Sequence, residues 1–278
     1  MDSSLAALLI EYAPVIVAMV LSGVIGGLMA GLLGVGGGIV IVPVLDFAYS
    51  LLGVDPALRL QFAVATSLAT IIPTSISSAR SHHSKGAVDL PLLRRWRVTM
   101  LVAAASGAYL ASMVSSHFLA IVFGSVALLV AAKMLLLRDD LRVVDAVPQG
   151  PFSHLIPFGI GSVSSMMGIG GGTLGVPTLT LLNQPVHTAV GTSAAFGLLI
   201  SIPATIAYVI TGWNDSAALP GSIGYVNVPG FLLIAPLTTW LAPYGVRLAH
   251  RLSRQQLSRL FGGFLLIVGG RMLYNALV

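Results

Sequence analysis

Apolar runs of about 20 residues follow one another along nearly the whole of this 278-residue chain, separated only by short polar stretches. A run of that length is what an α-helix needs to cross the hydrocarbon layer of a bilayer. Charged residues make up 8% of the chain, against about 25% in ordinary soluble domains, so no soluble fold could cover this much apolar surface. The expectation is an all-α polytopic membrane protein of about ten apolar segments, some of them broken or re-entrant, with no separate soluble domain. The stretch from Met1 to Tyr12 lacks a basic region and carries Asp2 and Glu11, so it reads as part of the mature chain rather than a cleaved signal. With no cysteine, disulfides, thiolate metal sites and catalytic thiols are excluded. The net charge of +5 is carried by basic residues in the polar stretches, which in such a chain reports orientation rather than a nucleic-acid partner.

Two glycine runs interrupt the apolar pattern: Gly34-Val-Gly-Gly-Gly38 and Gly168-Ile-Gly-Gly-Gly172, each followed five residues later by a proline, Pro43 and Pro177. Each glycine costs a helix interior roughly 1 kcal/mol relative to alanine, so the runs predict broken helices. Broken backbone at membrane depth is tolerated only where protein or a water-filled cavity surrounds it, which points to a binding site. If Pro43 and Pro177 start short helices, the positive ends of those helices aim into the protein and suit an anion. Close helix packing is the competing reading, but packing motifs space small residues four apart rather than clustering them. Gly170-x-Gly172-x-x-Gly175 matches the dinucleotide fingerprint only as a string, because no soluble βαβ unit surrounds it.

The pattern occurs twice. Ala63-Val-Ala-Thr-Ser67 follows the first glycine run as Ala189-Val-Gly-Thr-Ser193 follows the second, and Phe123-Gly124 with Lys133-Met134 answers Phe261-Gly262 with Arg271-Met272. Residues 1–137 form the first repeat, 138–151 a cytoplasmic linker loop and 152–278 the second repeat. Charge placement predicts that the repeats are inverted. Arg80, Lys85, Arg94, Arg95 and Arg97 fall in a polar loop after the third segment, whereas the matching loop, about Gly212 to Asn227, carries only Asp215. Conversely Arg247, Arg251, Arg254 and Arg259 stand where the first half has Ser115-Ser116-His117. Basic loops face the cytoplasm, so equivalent loops lie on opposite sides, both termini lie outside, and the linker with Arg138 and Arg142 lies inside.

The candidate anion site comprises Gly36, Gly37, Gly38, Gly170, Gly171 and Gly172, with the hydroxyls of Thr66, Ser67, Thr192 and Ser193 as uncharged donors. Hydroxyls in membrane helices also bond their own or a neighbouring backbone; it is their repetition a fixed step after each glycine run that points to a site. Asp46 and His187, which occupies the position of Gln61, are candidates for carrying a coupling proton. Lys133 and Arg271 read as side chains reaching opposite interfaces. Asp55 before Pro56 predicts a helix start, with Arg59 placed to pair with it. His82 and His83 lack carboxylate neighbours and do not make a metal site. No His-Glu-x-x-His occurs, and Asp139-Asp140 lie in the linker, so no enzyme activity, cofactor or metal is expected.

The doubled Gly-Val/Ile-Gly-Gly-Gly with its proline, the trailing Ala-Val-Ala/Gly-Thr-Ser, and the stretch His82-His-Ser-Lys-Gly86-Ala-Val-Asp89 resemble the TauE/SafE family of sulfite exporter-like membrane proteins over essentially the whole chain. The resemblance implies a bacterial inner-membrane transporter for sulfite, an organosulfonate or a related small sulfur-containing anion, driven by the proton gradient. A passive anion channel and an uptake transporter remain the alternatives. The expected partners are the small anion and the lipid bilayer, and no signal of oligomeric state is present.

Overall fold

The computed structural model describes residues 3–136, 147–214 and 219–277. Among them are ten α-helices: α1 (Ser3–Leu33), α2 (Gly38–Leu51), α3 (Arg59–His83), α4 (Leu90–Ser112), α5 (Ser116–Leu136), α6 (Leu155–Met166), α7 (Gly172–Leu181), α8 (Val186–Thr211), α9 (Val228–Ala249) and α10 (Arg254–Leu277). Six of them, α1, α3, α5, α8, α9 and α10, are long and apolar enough to cross a membrane, while α2, α6 and α7 are short. The protein is thus an all-α, multi-pass membrane protein. A hairpin of β1 (Ser222–Ile223) and β2 (Val226–Asn227) precedes α9. Its two-residue turn starts at Gly224 with φ 56°, the positive φ that such tight turns demand.

Helix α3 lies at the centre, 72% of its apolar window being buried, against 33% for α5 and 28% for α10 at the periphery. Outward-facing Leu129, Ile210, Ile267 and Trp240 are each more than half exposed, an apolar surface that lipid covers. Helix α1 packs on α9 as α6 packs on α4; α4 packs on α8 as α9 packs on α3; α3 meets α8 and α5 meets α10. Exchanging α1–α5 for α6–α10 leaves this set of packings unchanged. In α1, Gly23, Gly27 and Gly31 stand four apart against α9, where a Cβ at Gly27 would come within 2.7 Å of Thr238 Cα. Small residues at that spacing let two membrane helices approach closely.

Several expectations need correction. The stretch from Arg80 to Arg97 is largely helical: α3 runs on to His83 and α4 starts at Leu90, so Arg80 closes one helix and Arg94, Arg95 and Arg97 open another. Asp89 explains the abrupt restart, since its carboxylate accepts the Leu92 N–H at 3.0 Å and Pro91 sits where a first-turn proline costs nothing. Asp55 does not pair with Arg59. It accepts the Ala57 N–H at 2.8 Å in a turn, α3 begins only at Arg59, and Arg59 instead meets Asp46 at 2.8 Å. Pro43 and Pro177 lie inside α2 and α7, which begin at the glycines. Arg138, Arg142, Asp139, Asp140 and Asp215 lie outside the described residues.

Candidate functional site

The first glycine run turns the chain by left-handed backbone. Gly34, Gly36 and Gly37 have φ of 68°, 70° and 82°, conformations that residues with a Cβ avoid. Helix α1 closes with the Gly34 N–H on the Ala30 carbonyl at 3.0 Å, and α2 opens with the Val40 and Ile41 N–H groups on the Gly37 carbonyl at 3.0 and 3.2 Å. The second run needs one such residue, Gly168 at φ 67°. Helix α6 ends there with the Ile169 N–H on the Ser164 carbonyl at 3.1 Å, a left-handed cap of the Schellman kind.

The two runs cross in direct contact. The Gly170 N–H donates to the Val35 carbonyl at 3.1 Å. A Cβ on Gly170 would stand 2.7 Å from that same oxygen, one on Gly36 would stand 2.9 Å from Ile71 Cγ2, and one on Gly37 would stand 2.7 Å from the Gly26 carbonyl. Cβ atoms on Gly172 and Gly38 would collide with the Gly34 and Gly168 carbonyls, and one on Gly171 with Phe196 Cβ. Residues 34–42 and 167–173 are all buried. The glycines therefore serve both readings at once, unwinding the chain and letting backbone meet backbone. Because α2 and α7 both start at this crossing, their first-turn N–H groups and positive ends converge there.

The hydroxyls are arranged in pairs. Thr66 Oγ1 accepts the Asn227 N–H at 2.9 Å, and Thr192 Oγ1 accepts the Asp89 N–H at 2.9 Å. Asn227 and Asp89 are the N-caps of α9 and α4, their side chains accepting from Gly230 N–H at 2.9 Å and Leu92 N–H at 3.0 Å. Each threonine thus ties a central helix to the capped start of a helix beside it. Tyr49 Oη adds a hydrogen bond to Thr66 Oγ1 at 3.3 Å. Ser67 Oγ donates to the Gly168 carbonyl at 2.7 Å. Ser193 Oγ is buried without a hydrogen-bond partner among the described residues and lies against Gly175 in α7.

Six further buried hydroxyls have no hydrogen-bond partner among the described residues, and sequence reasoning did not single out three of them, Ser75, Thr173 and Ser201, as site candidates. Ser75 lies against Gly197 where α3 meets α8, and Thr173 belongs to the first turn of α7. The signal was present, because Ser75 follows Ser67 at the same step as Ser201 follows Ser193. The shared polar-x-Pro pattern of Asp89-Leu-Pro91 and Asn227-Val-Pro229 likewise marks the two caps.

The ionisable candidates lie apart from the crossing's hydrogen bonds. Asp46 is engaged by the Arg59 guanidinium, the side chains being 18% and 27% exposed. Lys133 Nζ donates to Thr180 Oγ1 at 2.9 Å, and the Arg271 guanidinium lies 5.7 Å over the Phe47 ring. His187 stacks on His250 with ring centroids 5.1 Å apart.

A family model described as sulfite exporter TauE/SafE matches residues 19–272. A probable membrane transporter protein of Haemophilus influenzae is 32% identical over 255 residues, covering 91% of this chain and 96% of that protein. Relatives with the same description occur in Methanocaldococcus jannaschii, at 26% identity over 92% of this chain and 94% of that protein, and in Bacillus subtilis, at 25% identity over 94% and 98%. No solved structure matches the chain.

Proposed function

The chain belongs to the TauE/SafE family and is a membrane transporter, and we propose that it is a secondary carrier exporting a small sulfur-containing anion, such as sulfite or an organosulfonate, in exchange with or driven by protons across a bacterial inner membrane. The observation that carries this reading is the buried crossing itself: two helices broken by glycine begin at one point, and the converging N–H groups and positive ends favour an oxyanion without a permanent positive charge. Ser193, with the hydroxyl hydrogens of Thr66 and Thr192, supplies further oxygen contacts, while Gly36, Gly37, Gly38, Gly170, Gly171 and Gly172 let the anion approach the backbone. The exchange of helix packings between α1–α5 and α6–α10 supports inverted repeats, and a site where two such repeats meet suits alternating access. The tight glycine contacts fit a closed state of that cycle, with rocking of one repeat admitting substrate.

Thermal unfolding of the purified protein in detergent against sulfite, sulfate, thiosulfate, sulfoacetate, taurine and simple carboxylates tests the substrate. The stabilisation by a true ligand grows with its concentration. A panel in which carboxylates stabilise and no sulfur oxyanion does would overturn the substrate assignment.

A further inference from the structure

Three histidines far apart in sequence meet at one end of the bundle. His82 ends α3, His187 opens α8, and His250 caps the C-terminus of α9. The His82 and His250 ring centroids are 5.5 Å apart, and the His187 and His250 rings stack at 5.1 Å with 15° between their planes. His82 is 1% exposed. Its Nε2 lies 3.0 Å from the Gly31 carbonyl, which can only accept, so Nε2 carries the proton and Nδ1 is the free basic atom. That Nδ1 and the Nε2 of His250 are both buried without hydrogen-bond partners among the described residues. Two unpartnered ring nitrogens in one cluster are costly to keep, and the rings are not arranged to hold a metal ion.

The charged groups around the cluster are defined. Residues 28–33 at the end of α1 carry none. The turn after α3 brings Lys85, close enough to act on His82 and His250. Asp89 is engaged in capping α4. Arg247 of α9 lies over the Tyr244 ring at 5.1 Å, and His83 and Arg251 face solvent. Among the described residues no carboxylate forms an ion pair with these rings. At the equivalent positions of the other repeat stand Gln61 in place of His187 and Tyr208 in place of His82. Gln61 donates to the Val114 carbonyl at 2.8 Å and accepts from Ser116 Oγ at 2.6 Å, and Tyr208 packs on Tyr225. Neither of those two positions carries a histidine.

We propose that His82, His187 and His250 form the proton-binding station of the transport cycle: neutral and stacked, they hold the ends of α3, α8 and α9 closed, and protons taken from the adjacent water part them. Like charges about 5 Å apart in a half-buried cluster repel strongly. Burial, then the neighbouring His187 and Lys85, already holds the His250 imidazole below its ordinary value of 6.5, so closure and protonation oppose one another. The proposal rests on the reading of the chain as a proton-coupled carrier.

Sulfite transport in proteoliposomes separates the two ideas. With wild-type protein, an imposed pH gradient should drive sulfite accumulation above simple exchange. His187→Gln and His250→Gln should keep sulfite–sulfite exchange at equal pH while losing gradient-driven accumulation by more than about tenfold, the scale of one lost coupling interaction. Accumulation at wild-type level in both variants, or loss of exchange and accumulation in equal proportion, would overturn the proton station. Wild-type exchange that persists with no accumulation driven by the gradient would overturn the proton coupling on which this proposal rests. A readout free of substrate is available because the chain has no cysteine. Ala87 is 5% exposed and packs on Gly191 beside His82, so Ala87→Cys reports opening. Its maleimide labelling, relative to denatured protein, should rise from about pH 7.5 to about pH 5.5, the range in which histidine charges. With His187→Gln and His250→Gln added, labelling should stay flat. Labelling independent of pH, or rising equally without the histidines, would refute the proposal.

Discussion

Replacing Thr192 with valine keeps the shape of a side chain that is 0% exposed and removes one oxygen. That oxygen accepts the Asp89 N–H at 2.9 Å, at the residue whose carboxylate caps α4. Leaving this donor without a partner costs about 1–3 kcal/mol, or roughly 5- to 150-fold in the folding equilibrium. Thr192→Ser keeps the acceptor and should retain most of the stability. Unfolding by SDS in mixed micelles is the assay, and the chain supplies its own reporter: Trp96 of α4 is fully buried, with its ring 5.7 Å from Phe196 of α8, across the interface the threonine ties. The same samples give anion affinity from ligand-dependent shifts of the midpoint. A hydroxyl that donates to the anion is worth about 1.5–3 kcal/mol, so Thr192→Val should also weaken binding about ten- to a hundredfold. An unfolding midpoint equal to that of the parent would refute the tie between α8 and the start of α4. A lost midpoint with unchanged affinity would remove this hydroxyl from the site and leave the backbone N–H groups and Ser193 to carry it.

Gly172→Ala, whose Cβ would meet the Gly34 carbonyl, should sharply reduce stability and expression, while Gly270→Ala, with open space around its Cβ, should be neutral or stabilising by up to about 1 kcal/mol; equal melting temperatures for the two would refute close packing at the crossing. Single cysteines at Ser84 and at Ile223, which is 50% exposed, should label from opposite faces of the membrane, Ser84 from the cytoplasm, and labelling of both from one face would end the inverted-repeat proposal. Since burial depresses the His250 pKa below 6.5, the folded state binds fewer protons there than the unfolded chain, so this contribution to stability is present above 6.5 and is lost as pH falls through the lowered folded value. Thermal unfolding across that range should show the fall, and His250→Gln should flatten it; an unchanged pH profile in the variant would sink the assignment.

The length and hydrophobicity of the apolar runs determine by themselves that the chain is helical and spans a membrane, because the bilayer sets the length and leaves the backbone no partners but its own. The glycine runs likewise announce their breaks, since a Cβ-free residue is what left-handed φ values such as those at Gly34, Gly36 and Gly37 require. Local rules reached less far where the deciding partner lies in another part of the chain. Arg59 had Asp55 four residues away, yet pairs with Asp46, because α3 starts only at Arg59 and Asp55 is used in its own turn. The basic stretch after α3 read as loop from its polarity, whereas the Asp89 cap and Pro91 start a helix inside it. His187 stood in the sequence as a lone candidate for carrying a proton, His82 only as the neighbour of His83, and His250 not at all; only the packing of α3, α8 and α9 put two stacked rings and two unpartnered nitrogens in one place. Covalent neighbours set where this backbone bends; hydrogen-bond and ring partners were chosen by how distant helices cross, which no local spacing encodes.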